Sequence, residues 1–124
     1  MCTRWLLIVT ALVEVGTGLA LLAVPSFTVA ILLCEGPLSP QTLVVGRVTG
    51  AALLSIGVTC WLSRQAERGG ALGLLAGLLI YNLAVPLLLI HAALAWTMSG
   101  IGLWPASVLH LALASWCIVS LHRR

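Results

Sequence analysis

Ionisable side chains are rare in this sequence, and four of them interrupt long apolar stretches: Glu14, Arg47, His91 and His110. A charge inside a bilayer needs a partner, and intramembrane carboxylates often carry proton or ion chemistry. A helical rise of about 1.5 Å per residue puts Glu14 near the middle of its stretch and Arg47 nearer the end of the next one. An arginine side chain can cover that difference in depth. We therefore predict a Glu14–Arg47 ion pair, which is either structural or the centre of a proton, ion or substrate site.

The two histidines lie at equal sequence distances from a turn expected near residue 100. They should therefore have nearly the same depth in the membrane. A haem between them is disfavoured, because helices joined by a short turn pack about 8 to 10 Å apart. A metal ion would need further ligands, for which Glu14 is a candidate, and no carboxylate that would orient the ligating histidines is evident. We expect hydrogen-bonded histidines, which form a candidate polar or ligand site together with Tyr81 and Asn82.

Asn82 precedes His91 by nine residues, so the two side chains point about 180° apart around a straight helix. Both can face the bundle only if Pro86 rotates the two halves of the helix. An amide turned toward lipid would be left without a hydrogen-bond partner. The alternative is that Asn82 faces a neighbouring subunit.

The composition requires a membrane protein, since 61% of the 124 residues are hydrophobic and only 7% are charged. A soluble domain carries about 25% charged residues. Four apolar stretches, at about 5–24, 43–62, 71–96 and 103–121, are long enough to cross a bilayer. The sequence predicts an all-α membrane protein with one integral membrane domain over 1–124, a four-helix antiparallel transmembrane bundle. A short interfacial segment is expected at 27–33, in the first outer linker.

The arginines predict the orientation. Five of the six fall on the side that also holds both termini: Arg4, Arg64, Arg68, Arg123 and Arg124. By the positive-inside rule this side is cytoplasmic. Arginine without lysine, together with heavy use of Leu, Ala, Val and Gly, suggests a GC-rich bacterium. The expected location is the bacterial inner membrane, with both termini in the cytoplasm.

Small residues recur at four-residue spacing in two spans. The second span has Gly46 and Gly50, and the third has Gly69, Gly73 and Gly77. Such stripes favour close packing of helices in lipid. The stripe of the third span continues at helical spacing to His91, which predicts that His91 faces the bundle. The short polar linker at 63–69 predicts that the second and third spans are antiparallel neighbours.

The segment from Ala11 to Thr17 resembles the first span of the small multidrug resistance transporters. These are short four-helix proteins whose membrane glutamate binds protons and cationic substrates in turn. The resemblance implies that role for Glu14. The rest of the sequence departs from the family, because Arg47 would repel a cation and the motif of the family's third span is absent. We assign no family on these seven residues.

The function is inferred mostly by exclusion. The sequence offers no nucleophile–base pair, metal-ligand set or Cys-x-x-Cys motif, and it leaves little surface outside the membrane. We predict a non-enzymatic accessory or structural subunit of a larger membrane protein complex. Its partners would be the bilayer and other subunits or further copies of itself, with no nucleic acid.

Two alternatives remain open. One is a small proton-coupled transporter centred on Glu14. The other is a lipid- or quinone-binding protein in which Tyr81, Asn82 and the histidines hold a polar headgroup. We expect no cofactor other than a bound lipid or quinone in this second alternative, and no metal.

Overall fold

The computed structural model describes residues 2–34, 36–66 and 70–122, apart from the side chain of Cys2. This part of the chain is helical and contains no strand. The five helices are α1 (Cys2–Ala23), α2 (Pro25–Leu33), α3 (Pro40–Ser63), α4 (Leu72–Ala95) and α5 (Leu103–His122).

Four of these helices, all but α2, are long and apolar enough to cross a membrane. Each overlaps one of the predicted spans, so the all-helical, multi-pass architecture is confirmed. Two helices begin three residues earlier than predicted, α1 at Cys2 rather than at residue 5 and α3 at Pro40 rather than at residue 43. The Ser39 hydroxyl accepts a hydrogen bond of 3.2 Å from the Thr42 backbone N–H, and proline fits the first helical turn.

The short helix α2 occupies the first outer linker, where the sequence predicted a short apolar segment. Proline at its first position starts it, and Cys34 ends it with a left-handed φ of 57°. Phe27 and Ile31 on α2 are exposed. The Ile31 carbonyl accepts a hydrogen bond of 2.8 Å from the Gly102 N–H, which joins α2 to the turn before α5. We call this contact the α2 clasp.

Helices α1 and α3 form a tight antiparallel pair, because glycines let their backbones meet. A Cβ atom on Gly18 would lie 2.7 Å from the Gly50 carbonyl oxygen, and one on Gly57 would lie 2.9 Å from the Val15 backbone nitrogen. Helices α4 and α5 form the second pair. The expectation that the second and third spans are neighbours is wrong, since α3 packs mainly on α1 and α4 mainly on α5. A short linker fixes only the distance between two helix ends, whereas close backbone packing selects the partner along the whole length.

A group of buried apolar residues, which we call the apolar cluster, joins the two helix pairs toward the N-terminal end of α1. Its eight buried members are Leu6, Leu7, Ala11, Cys60, Leu75, Leu78, Leu113 and Cys117.

The arginines and tryptophans mark the ends of the bundle. Arg4 opens α1 and Arg64 follows α3, so the antiparallel pair puts both at one end. Trp5 and Trp61 are exposed at that end, and Trp96 and Trp104 are exposed at the other, as in aromatic belts. The remaining arginines of the orientation argument, Arg68, Arg123 and Arg124, lie outside the described residues.

Candidate functional site

A network of polar side chains lies in the interior of the bundle. The Tyr81 hydroxyl donates a hydrogen bond of 3.2 Å to Glu14 Oε2. His110 Nδ1 and Asn82 Oδ1 are 2.8 Å apart and share a hydrogen bond. The Tyr81 and His110 rings meet edge to face, with centroids 5.4 Å apart. Side chains from α1, α4 and α5 are therefore connected, and we call these four residues the polar centre.

Helical spacing brings these side chains inward. On α5, Ser107, His110 and Ala114 are buried at steps of three and four residues. On α4, Asn82 and Pro86 are buried one turn apart, and the Asn82 amide nitrogen donates to the Leu78 carbonyl at 2.8 Å. Pro86 has no N–H to give to the backbone carbonyl of Asn82. Helix α4 therefore lacks one backbone hydrogen bond, the one to the Asn82 carbonyl, next to the polar centre.

Glu14 is the chemically most unusual member of the polar centre. Its side chain is 1% exposed, and its second carboxyl oxygen, Oε1, has no hydrogen-bond partner. One turn earlier on α1, Thr10 is fully buried and its hydroxyl also lacks a partner. Two unpartnered oxygens therefore lie close together in an apolar interior, where such groups are costly.

The predicted ion pair between Glu14 and Arg47 does not form in the described part of the chain. Glu14 is buried with Tyr81 as its partner, whereas Arg47 is exposed on α3. The packing of α1 on α3 explains this result, because Gly57 lies against Ala11 and Val15 at the level of Glu14. Arg47 is about ten residues away along α3, roughly 15 Å, which is more than an arginine side chain can cover. The depth estimate made from the sequence placed the two charges too close together.

The two histidines are not brought together. His110 is buried in the polar centre, but His91 is exposed and packs edge to face on Trp96, with centroids 5.2 Å apart. The expectation that His91 faces the bundle is therefore wrong. Asn82 takes the inward position instead of facing a neighbouring subunit, and its side chain is fully buried. The two side chains point to opposite sides of the helix, so burying one of them turns the other outward.

The two glycine stripes differ in burial. Gly46 and Gly50 are buried on the face of α3 that meets α1. Gly73 and Gly77 are exposed, and a Cβ atom on either would meet nothing within 4 Å. Gly69 lies outside the described residues. The stripe on α4 therefore faces away from the bundle, while leucines and Asn82 fill its inner face.

A cavity of about 320 Å³ lies between α2, the linker before α3 and the α4–α5 turn. Its lining residues are Val29, Leu33, Pro37, Leu38, Ser39, Thr42 and Met98. The residues expected to hold a lipid or quinone headgroup are not all brought together, since Tyr81, Asn82 and His110 meet in the polar centre and His91 lies elsewhere.

The polar centre has groups that can bind and release a proton. It holds a carboxyl group, a phenol, an imidazole and an amide in a buried, connected set. Sequence reasoning had singled out all four residues but not Thr10. The sequence feature that points to Thr10 is its position four residues before Glu14, on the same face of α1. Comparisons with protein families, with curated proteins and with solved structures find no match to this chain.

Proposed function

We propose that the protein is a non-enzymatic accessory subunit of a larger membrane protein complex. The observation that carries the proposal is Arg47, an exposed cation on a spanning helix with no acidic side chain of the described chain in reach. It lies about 10 Å inside α3, counted from Pro40. Its neighbours Val44 and Val48 are exposed, as expected for a lipid-facing surface. A charge in this position calls for a partner, and an acidic group of another subunit would supply it.

The outer face of α4 supports the same proposal. Gly73 and Gly77 leave open space at their Cβ positions, and Ala76 and Ala84 on this helix are also exposed. Small residues allow the backbone of another helix to approach closely, which is the main source of helix association in lipid. The chain does not use this surface for its own packing, so it is available to a partner helix.

The proposed location draws on the charge distribution. Arg4 and Arg64 lie at the end of the bundle where the described chain begins. With the positive-inside rule, this supports a bacterial inner membrane protein with both termini in the cytoplasm.

Gentle detergent extraction from native membranes, followed by mass identification of everything that migrates with the chain, tests the proposal. We expect a larger assembly at fixed stoichiometry, and we expect Arg47→Gln to release the chain from it. Arg4→Gln removes a charge at the end of α1 and should leave the assembly intact. A chain that migrates alone as a monodisperse species would contradict the proposal.

The buried carboxyl group of Glu14 favours a second candidate function, a small proton-coupled transporter. A group that binds and releases a proton in the middle of a membrane is the central requirement of such a protein. Vesicles containing the purified chain, loaded with a pH-sensitive dye and exposed to a lipophilic organic cation, provide the test. Glu14→Gln should abolish cation-driven proton movement while the elution volume in gel filtration stays unchanged. Equal proton movement in both proteins would end this idea.

A further inference from the structure

Two buried oxygens on one face of α1 share an unusual property. Thr10 Oγ1 and Glu14 Oε1 belong to side chains that are 0% and 1% exposed, and neither oxygen has a hydrogen-bond partner among the described residues. The two residues are four apart, so their side chains lie on the same face, about 6 Å apart along the helix axis. A buried polar group without a partner destabilises the fold.

The Thr10 hydroxyl differs from three hydroxyls on α3, and it shares its lack of a partner with the Ser120 hydroxyl on α5. Thr49, Ser55 and Thr59 on α3 each donate to the carbonyl four residues earlier, at 2.8 to 2.9 Å. Thr10 could form the same bond to Leu6 but does not. Its hydroxyl therefore remains free for a partner on the Glu14 side.

The hydrogen bonds seen from neighbouring side chains go to other acceptors. The Tyr81 hydroxyl is bound to the other carboxyl oxygen, Oε2, at 3.2 Å. The Asn82 amide nitrogen donates to Leu78, and the facing nitrogen of His110 is bound to Asn82. Thr10 Oγ1 and Glu14 Oε1 therefore remain open to a small donor from outside the chain.

We propose that one buried water molecule bridges Thr10 Oγ1 and Glu14 Oε1, and that Glu14 gains and loses its proton through this water. A buried water needs two to four polar partners, and this site supplies two. Polar groups too far apart for a direct bond are commonly joined in this way. Since Tyr81 occupies Oε2, a protonated water delivers its proton to Oε1, and the reverse step returns it. Only the O–H bonds of water and carboxyl change.

The apolar cluster lies beside the water site. Leu6, Leu7 and Cys60 are buried on the N-terminal side of Thr10 and belong to the cluster that joins both helix pairs. They separate the water site from the arginine-bearing end of the bundle. The inference is independent of both proposed functions, since it concerns the occupancy of a site and not what the protein assembles with or transports.

Infrared difference spectroscopy of the purified protein in mild detergent tests the water site. Subtracting the Glu14→Gln spectrum assigns the Glu14 carboxyl bands. We expect Thr10→Val, which keeps the side-chain shape, to shift those bands, and Thr10→Ser to restore them. Thr59→Val is the matched control, because it removes a hydroxyl that is bonded to the Ser55 carbonyl, and it should leave them unchanged.

Exchange into water labelled with oxygen-18 separates a bridging water from a direct contact. A water O–H band that shifts with the isotope and disappears in Thr10→Val supports the proposal. Bands that do not change in Thr10→Val overturn it. A shift in Thr10→Val with no isotope-sensitive band also overturns it, because Thr10 would then bind Glu14 directly. Gel filtration of each variant verifies that the comparison is made between folded proteins.

Discussion

Among the described residues, the Glu14 carboxyl group receives one hydrogen bond, the one from Tyr81. The sequence identifies Glu14, Tyr81, Asn82 and His110 as candidates, because polar side chains inside apolar helices are rare. It cannot show which atoms meet, since that depends on how two helix pairs come together. Arg47 illustrates the limit, because a sequence-based depth does not contain the stagger between α1 and α3.

Tyr81→Phe removes the donor to Glu14 and keeps the ring. A hydrogen bond to a charged or strongly polar group contributes about 1 to 3 kcal/mol, so the free energy of unfolding in detergent should fall by that amount. In a Glu14→Gln background the same change should cost less, because a neutral amide accepts a weaker hydrogen bond. Equal losses in both backgrounds would show that the two side chains are not coupled.

The Asn82–His110 pair should behave as a unit. Asn82→Leu leaves a buried imidazole nitrogen without its partner at 2.8 Å and should lower the unfolding free energy by about 1 to 3 kcal/mol. Replacing both residues by leucine removes the unpaired group as well. We expect the double variant to be more stable than Asn82→Leu alone in thermal unfolding. A further loss of stability in the double variant would argue against the pairing.

At the scale of helices, the glycines separate what the sequence can predict from what it cannot. Four apolar stretches predict four spanning helices, because length and hydropathy are local properties. Which face of each helix turns inward is harder to predict, since lipid and bundle interior are both apolar. The α4 stripe with Gly73 and Gly77 therefore lies outside, although its spacing predicts the interior. Close approach needs a glycine that faces the backbone of the partner helix, as Gly18 and Gly57 do.

Gly16 and Gly18 form a matched pair for testing the α1–α3 contact. A Cβ atom at Gly18 would lie 2.7 Å from the Gly50 carbonyl oxygen, whereas one at Gly16 would meet nothing within 4 Å. Gly18→Ala should destabilise the protein by about 1 to 3 kcal/mol, as overpacking does. Gly16→Ala should be neutral or stabilise it by up to about 1 kcal/mol, because alanine favours the helix. Thermal unfolding of the two variants in the same detergent measures the difference. Equal effects of the two substitutions would show that the contact is absent.

At the scale of the whole molecule, Cys34 reports on orientation. It is free and exposed in the linker after α2, at the end of the bundle opposite Arg4 and Arg64. In intact bacterial cells producing a Cys2→Ser variant, a membrane-impermeant maleimide should label Cys34. The buried thiols of Cys60 and Cys117 should stay unlabelled, and Cys34→Ser should abolish the signal. Labelling that requires permeabilised cells would reverse the proposed topology.

The pairing of α1 with α3 and of α4 with α5 bears on how the chain is made. The two helices of the first pair, α1 and α3, are both synthesised once the chain reaches Ser63, before α4 begins at Leu72. During synthesis the first pair can close in the membrane while the second is still leaving the ribosome. The second pair then adds through the Glu14–Tyr81 bond and the α2 clasp. Two separately expressed halves, divided in the linker between α3 and α4, should therefore find each other in the membrane and co-purify.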